Sequence, residues 1–307
     1  MKFRVLAMLL TAFAMAIAIL GVIQFARKSA PDIAPPPLQT TEAEKVIAIS
    51  PAVFKSASEV EGVLRLSGIS EPGSTLVLSQ SGKRLAEAIV EEDGSWTAAL
   101  PINPLETQAI NLVMFFEDGT RVRSDETLFR IPKLEESAAS EETAIVTPSQ
   151  PYDVPTLILL TAPGGPSKIF QSPFGGLPVA GPLSLGPIDY DDSGGAVFRG
   201  TSDRSGRIRL YANGAVIGDA PVQTDGQWFY IIAETLPRGS YDIVVAMMED
   251  TEEISRITVP FEKMAFRQQQ SPGGGLYVSF GESRWQVRRD LLGGGAQYTA
   301  VFGPDGN

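Results

Sequence analysis

Glu91-Glu92-Asp93-Gly94-Ser95-Trp96 and Gln223-Thr224-Asp225-Gly226-Gln227-Trp228 carry one signal twice. In each, an Asp-Gly turn leads straight into a strand that opens on tryptophan. Glycine suits such turns because it accepts the positive φ that a tight reversal needs. Upstream the copies stay in step: Leu66-Ser67-Gly68 precedes Trp96 by the same separation as Phe198-Arg199-Gly200 precedes Trp228. After Gly68 come the turn Glu71-Pro72-Gly73-Ser74 and the strand Thr75-Leu76-Val77-Leu78. After Gly200 come Asp203-Arg204-Ser205-Gly206 and Arg207-Ile208-Arg209-Leu210-Tyr211. A spacing kept through strand, turn, strand, turn and tryptophan marks one all-β module used twice.

In the first copy the strand signals are Val46-Ile47-Ala48-Ile49, Gly62 to Ser67, Thr75 to Ser79, Leu85 to Val90, Trp96 to Leu100, Ile110 to Phe116 and Thr127 to Ile131. Short strands at regular spacing are the pattern of an immunoglobulin-like sandwich, with Leu76 and Leu78 on one face of their strand. Trp96 and Trp228 are expected at equivalent core positions between the sheets. The fold class is therefore mainly β: module 1 over 45–132 and module 2 over 156–262. Between them 133–155, with its run Leu134 to Glu142, is acidic, small and short of apolar residues, and reads as a linker. Thr156-Leu157-Ile158-Leu159-Leu160-Thr161 is expected to open module 2. The Pro/Gly-rich stretch from Ala162 to Pro187 excludes helix but carries Ile169, Phe170, Phe174 and Leu177. It is too apolar for a free linker, and is expected either to lie pinned on the sandwich or to meet a partner.

The chemistry available is narrow. The chain has no cysteine and no histidine, which removes thiol nucleophiles, disulfides, the usual zinc sites and Ser-His or Cys-His catalysis. A net charge of −11 argues against nucleic acid as a partner, because that affinity comes from cations set on phosphates. Neither a cofactor nor an enzymatic activity is expected. Asp189, Asp191 and Asp192 beside Gly194-Gly195 offer oxygen ligands of the kind Ca²⁺ takes. They lack EF-hand spacing, and Asp-rich turns before strands are common, so both readings stand and no metal residue is assigned.

Lys2 and Arg4 precede an uninterrupted apolar run from Val5 to Ile23, closed by Gln24, Arg27 and Lys28. As a helix the run spans about 28 Å, near the roughly 30 Å hydrocarbon core of a bilayer. Its length, and the lack of a small-x-small site, favour a transmembrane anchor over 1–28 rather than a cleavable signal peptide. The basic amino-terminal flank favours the body lying outside. Pro31 and Pro35-Pro36-Pro37 make 29–44 a semi-rigid stalk.

After a flexible joint over 263–275, Leu276-Tyr277-Val278-Ser279-Phe280 reads as a strand. Ser283 and Gln286 stand at capping-box spacing. Trp285, Arg288, Leu291 and Leu292 recur near helical spacing, Gly293-Gly294-Gly295 stops that helix, and Tyr298, Val301 and Phe302 suggest a second. This order over 276–307, with Gly281-Glu282-Ser283 at the first turn and aromatic residues at Trp285 and Tyr298, resembles the lysin-motif (LysM) peptidoglycan-binding family. It departs from that family at Arg284 and in the missing second strand. The resemblance implies a small α+β tail whose glycan-contacting residues would be Phe280, Gly281 and Glu282, with Trp285 as structural core beside Trp96 and Trp228. The paired β modules also look like the immunoglobulin-like repeats that precede such motifs in bacterial envelope proteins. That likeness implies architecture more than activity; anchor, stalk, sandwiches and tail taken together are expected to make a non-enzymatic spacer or adaptor in the inner (cytoplasmic) membrane with its bulk in the periplasm. Peptidoglycan or an envelope protein would be its partner. The alternative is a protein-binding scaffold that takes no glycan.

Overall fold

The computed structural model describes residues 49–133 and 154–304, apart from 164, 193, 233–235, 264–269, 274 and 292–293. The expected anchor, stalk and most of the acidic stretch lie outside the described residues. The described residues all belong to one compact unit. Among the described residues no helix is long and apolar enough to cross a membrane.

The first module is made of β1 (Val53–Val60), β2 (Val63–Ile69), β3 (Thr75–Gln80), β4 (Lys83–Ile89), β5 (Ser95–Pro101), β6 (Gln108–Phe115) and β7 (Arg121–Pro132). β8 (Thr156–Thr161) and β9 (Lys168–Gln171) follow. Three strands form one sheet in the order β1-β2-β5, and six form the other in the order β4-β3-β6-β7-β8-β9. Alternation turns Leu64, Leu66, Leu76, Leu78, Ile110 and Leu112 inward, all buried.

The second module repeats this plan. β10 (Val179–Ala180), β11 (Leu183–Leu185) and β12 (Ile188–Asp191) lead to β13 (Ala196–Ser202), β14 (Arg207–Ala212), β15 (Ala215–Pro221), β16 (Gln227–Ile232), β17 (Gly239–Glu249) and β18 (Glu252–Lys263). One layer holds β11-β13-β16 and the other is β15-β14-β17-β18, matching β1-β2-β5 and β4-β3-β6-β7 strand for strand. In both modules the sequence repeat has a packing cause. Gly68 pairs directly with Trp96 and Gly200 with Trp228. A Cβ at Gly68 would stand 2.5 Å from Trp96 Cζ2, and one at Gly200 2.6 Å from Trp228 Cζ2. Each indole lies over its cross-strand glycine and is 1% exposed.

Several sequence expectations change here. Residues 49–50 are not in a strand, and the first strand of module 1 is β1, whose polar content and bulge between Phe54 and Ser56 hide its alternation. β8 does not open module 2: it pairs antiparallel with β7, Pro132 opposite Thr156 and Leu128 opposite Leu160. Lys133 N–H donates to the Pro155 carbonyl at 2.9 Å, extending the β7–β8 pairing to the residues that flank the acidic stretch. All six residues of β8 are buried. Ile158 and Leu160 enter the core of module 1, while Leu157 and Leu159 face the opposite way into a second cluster.

That second cluster is completed by the tail. β19 (Gln270–Gly273), β20 (Leu276–Phe280), β21 (Arg284–Asp290) and β22 (Ala296–Phe302) form an antiparallel meander, and β22 pairs with β12 of module 2. The two helices expected over 283–292 and near 298–302 are therefore strands, and the lysin-motif α+β arrangement is not formed. The reason is period. Trp285 and Val287 are buried while Arg284, Gln286 and Arg288 alternate with them, and cross-strand pairing on both sides outweighs one capping-box pair.

Candidate functional site: the joint between the modules

The tail meander has two attachments. Through β22 it continues the β11-β13-β12 sheet of module 2, with Ile188 opposite Ala300 and Tyr190 opposite Tyr298. Through its face it covers the outer side of β7 and β8: Leu276, Val278, Trp285, Val287 and Val301 meet Phe129, Ile131, Leu157 and Leu159. Trp285, 1% exposed, is the largest side chain there. Phe174 lies edge-on to it at 6.0 Å and Phe280 at 4.6 Å, in the T-shaped arrangement that ring quadrupoles favour. The Gly/Pro-rich stretch is pinned at the same place: Phe170 packs on the core of module 1, while Ile169 and Phe174 pack on the joint.

A buried polar node sits on the module 2 side. Asp189, 3% exposed, accepts from Ser167 N–H at 2.6 Å, Ser167 Oγ at 2.7 Å and Thr299 Oγ1 at 2.6 Å. One carboxylate thus ties the Gly/Pro-rich stretch, β12 and β22. Burial pushes its pKa above the usual carboxylate range, against the lowering effect of the Thr299 and Ser167 donors and the Arg199 charge. Arg199 in turn donates to the Ser167 carbonyl at 3.0 Å. Burial depresses the Arg199 guanidinium, and Asp189 opposes that shift. Beside the node Tyr190 stacks on Tyr298 at 4.9 Å, and Tyr298 Oη donates to Asp192 Oδ1 at 2.9 Å.

The three aspartates do not converge on one ion. Asp189 turns to Ser167 and Thr299, Asp191 Oδ1 accepts from the Gly194 and Gly195 N–H groups, and Asp192 accepts from Tyr298. Among the described residues no group of three His, Cys, Asp or Glu side chains is placed to hold a metal. A cleft of about 130 Å³ lies between Tyr190, Asp192, Leu236, Arg238, Lys263 and Tyr298. That is below the roughly 300 Å³ at which small-molecule pockets begin. Lys263 occupies its wall, donating to the Leu236 carbonyl at 2.9 Å, and burial lowers its ammonium pKa. A second cleft, of about 330 Å³, runs between β17, β18 and Arg284, which donates to the Pro260 carbonyl at 3.2 Å.

Phe280, Gly281 and Glu282 sit at the β20–β21 turn, closed by the Gly281 N–H donating to the Arg284 carbonyl at 3.0 Å. Gly281 and Glu282 are exposed, and Phe280 is half-buried against Trp285. Neither cleft is lined by any of the three. Sequence reading missed a different surface. On β16, Phe229 is 49% exposed and Ile231 58% exposed, and on β15 Val216 is 56% exposed. The two copies, set side by side, carry the signal: Trp96 is followed by Thr97 and Ala99 on the outer face, Trp228 by Phe229 and Ile231.

The chain matches no protein-family model and no curated protein. Among solved structures it is similar to the fibronectin(III)-like modules of Clostridium thermocellum CbhA, at 11% identity over 72% of this chain and 100% of that one, with a TM-score of 0.21. The central fibronectin-III array of RIM-binding protein matches at 10% identity over 79% of this chain and 80% of that one, TM-score 0.24. The BSP domain of a biofilm associated protein matches at 10% identity over 85% of this chain and 62% of that one, TM-score 0.21. Likeness at this level says nothing of function, and the immunoglobulin-like architecture rests on the strand order of the two modules.

Proposed function

We propose that this protein is a non-enzymatic scaffold of the bacterial envelope, in which two immunoglobulin-like modules are held as one stiff body. An amino-terminal anchor would fix it to the membrane, and its partner would be another envelope protein. The observation that carries the stiff-body reading is the double attachment of the tail. β22 is hydrogen-bonded into module 2 while the face of the same meander is buried on module 1. Two domains joined by a linker alone are expected to reorient freely; a shared hydrophobic interface removes that freedom. The anchor is supported by the Val5 to Ile23 run and its basic flank. With helices replaced by strands at 284–290 and 296–302, the tail offers less support for peptidoglycan than for a structural role.

The absence of cysteine makes the test direct. Spin labels on Ile89→Cys of module 1 and Val216→Cys of module 2, both exposed, report the distance between the modules. A single narrow distance distribution is expected for the full-length protein. A distribution as broad as that of freely jointed domains would overturn the stiff-body reading. Extraction of the protein from membranes by high salt alone would overturn the anchor.

A further inference from the structure

We propose that the free edge of β16 is a self-association surface, pairing antiparallel with the same edge of a second copy of this chain. Among the described residues β13 is the one strand that pairs with β16, and the open side is bonded only at Gln227, by the preceding turn. The direction of its backbone groups follows from the turn. Gln227 N–H donates to Asp225 Oδ1 at 3.0 Å and the Gln227 carbonyl accepts from Gln223 N–H at 2.8 Å, so both point away from β13. In an antiparallel ladder the N–H and C=O groups of alternate residues point to the same side. Phe229 and Ile231 therefore aim their backbone groups at the open edge, and their side chains project from the outer face.

This edge lacks the features that normally guard one. Natural edge strands carry charged residues, proline or bulges that discourage pairing. Gln227 to Ile232 has no charge, no proline and no glycine, and five of its six residues are aromatic or β-branched. Two edges of module 1 are different: β4 carries Lys83, Arg84 and Glu87, and β5, the counterpart of β16, carries the smaller Thr97 and Ala99 and ends on Pro101. The module thus keeps a guarded edge in its first copy and an open one in its second.

A second copy fits the open edge better than a charged partner, because the strand is complementary to itself. With a two-fold axis at Tyr230, Phe229 stands opposite Ile231 of the other copy and Ile231 opposite its Phe229. Both facing pairs then exchange N–H···O=C bonds. An aromatic residue across from a β-branched one is a favourable cross-strand pair, and no like charges meet. The isologous arrangement closes at a dimer and leaves no further β16 edge exposed.

The test uses the full-length cysteine-free protein in detergent. Copies carrying Phe229→Cys are mixed with copies carrying Ile231→Cys and treated with a short thiol cross-linker. Heterodimers should form well above the level given by a mixture of Thr97→Cys and Ala99→Cys, the matching positions of module 1. Sedimentation of the unmodified protein should show a concentration-dependent dimer. Ile231→Lys, which changes an exposed side chain, replaces the cross-strand pair with Phe229 of the other copy by a charge facing an apolar ring, and should weaken that dimer by about tenfold or more, which is roughly 1.4 kcal/mol. A monomer at all concentrations, or equal cross-linking at both pairs of positions, would overturn the proposal. So would a dimer indifferent to Ile231→Lys.

Discussion

Replacing Trp285 by alanine should uncouple the two modules without unfolding either core. The indole is 1% exposed and is held between Phe174 at 6.0 Å and Phe280 at 4.6 Å. Burying an aromatic side chain of about 150–250 Å² at roughly 25 cal/mol per Å² contributes some 4–6 kcal/mol, an upper bound because the unfolded chain already hides part of that area. Truncations of core aromatics cost about 3–5 kcal/mol, and the lower figure is the better guide. What remains at the joint is Leu276, Val278, Val287 and Val301 against Phe129, Ile131, Leu157 and Leu159, without the cluster's largest side chain. The pairing of β22 with β12 is untouched, so the meander should stay on module 2 and lift from module 1. In the variant, the distance between labels at residues 89 and 216 should broaden. Amides of β20 and β21 should exchange faster, and the melting transition should fall by roughly 6–20 °C or split in two. The buried surroundings of Trp96 and Trp228 should persist in the fluorescence of the lower-temperature state. A distance distribution as narrow as that of the unmodified protein, with no change in exchange at β20 and β21, would refute the reasoning.

Asp189→Asn should remove a pH dependence. Burial raises the Asp189 pKa in the folded protein, so its stabilising contribution is full below the unfolded value near 3.9 and is lost as pH rises through the folded value. The stability of the unmodified protein relative to Asp189→Asn should therefore grow as pH falls from 7 toward about 4, as read by urea denaturation; a constant difference would count against the buried node. Gly200→Ala and Gly68→Ala should each destabilise by about 1–3 kcal/mol through overpacking against the neighbouring strand's carbonyl (Ser184 or Val53, 2.0 Å from the added Cβ) and the facing indole, and equal stability to the unmodified protein would break the close-packing account of the repeat. Arg130 is fully buried and bonds Glu59 through Nε at 2.7 Å and Nη2 at 2.9 Å. Glu59→Leu should then cost about 3–5 kcal/mol by leaving that charge unpaired, measured by thermal or urea unfolding.

The modules were legible because their determinants are local or repeated. Asp-Gly turns need a residue that accepts positive φ, and Gly94 and Gly226 do so at 82° and 76°. Leu76 and Leu78 alternate with half-buried or exposed neighbours, which gives a one-sided strand away from the sequence alone. The equal Gly-to-Trp spacing reports a single cross-strand contact made twice. The expected glycan site had no such support. Phe280, Gly281 and Glu282 lie at a hairpin turn, and the segment after it, expected to be a helix, is a strand.

Tertiary structure decided the rest. The composition of Thr156 to Thr161 gives a strand, but an unbroken apolar run states only that both faces will be covered, not by which sheets. Pairing with β7 assigned it to module 1. In the tail, the same residues satisfy a weak helical spacing and a strict alternation. Neighbours on both sides, β20 and β22, made the alternation win by giving Trp285 and Val287 a cross-strand partner on each side. Asp189 shows the limit most plainly: its partners lie 22 and 110 residues away, so no local pattern distinguishes a buried carboxylate from an Asp-rich turn. Local sequence sets which conformations and faces each segment prefers; which face meets which is settled only when distant strands compete for the same buried surface.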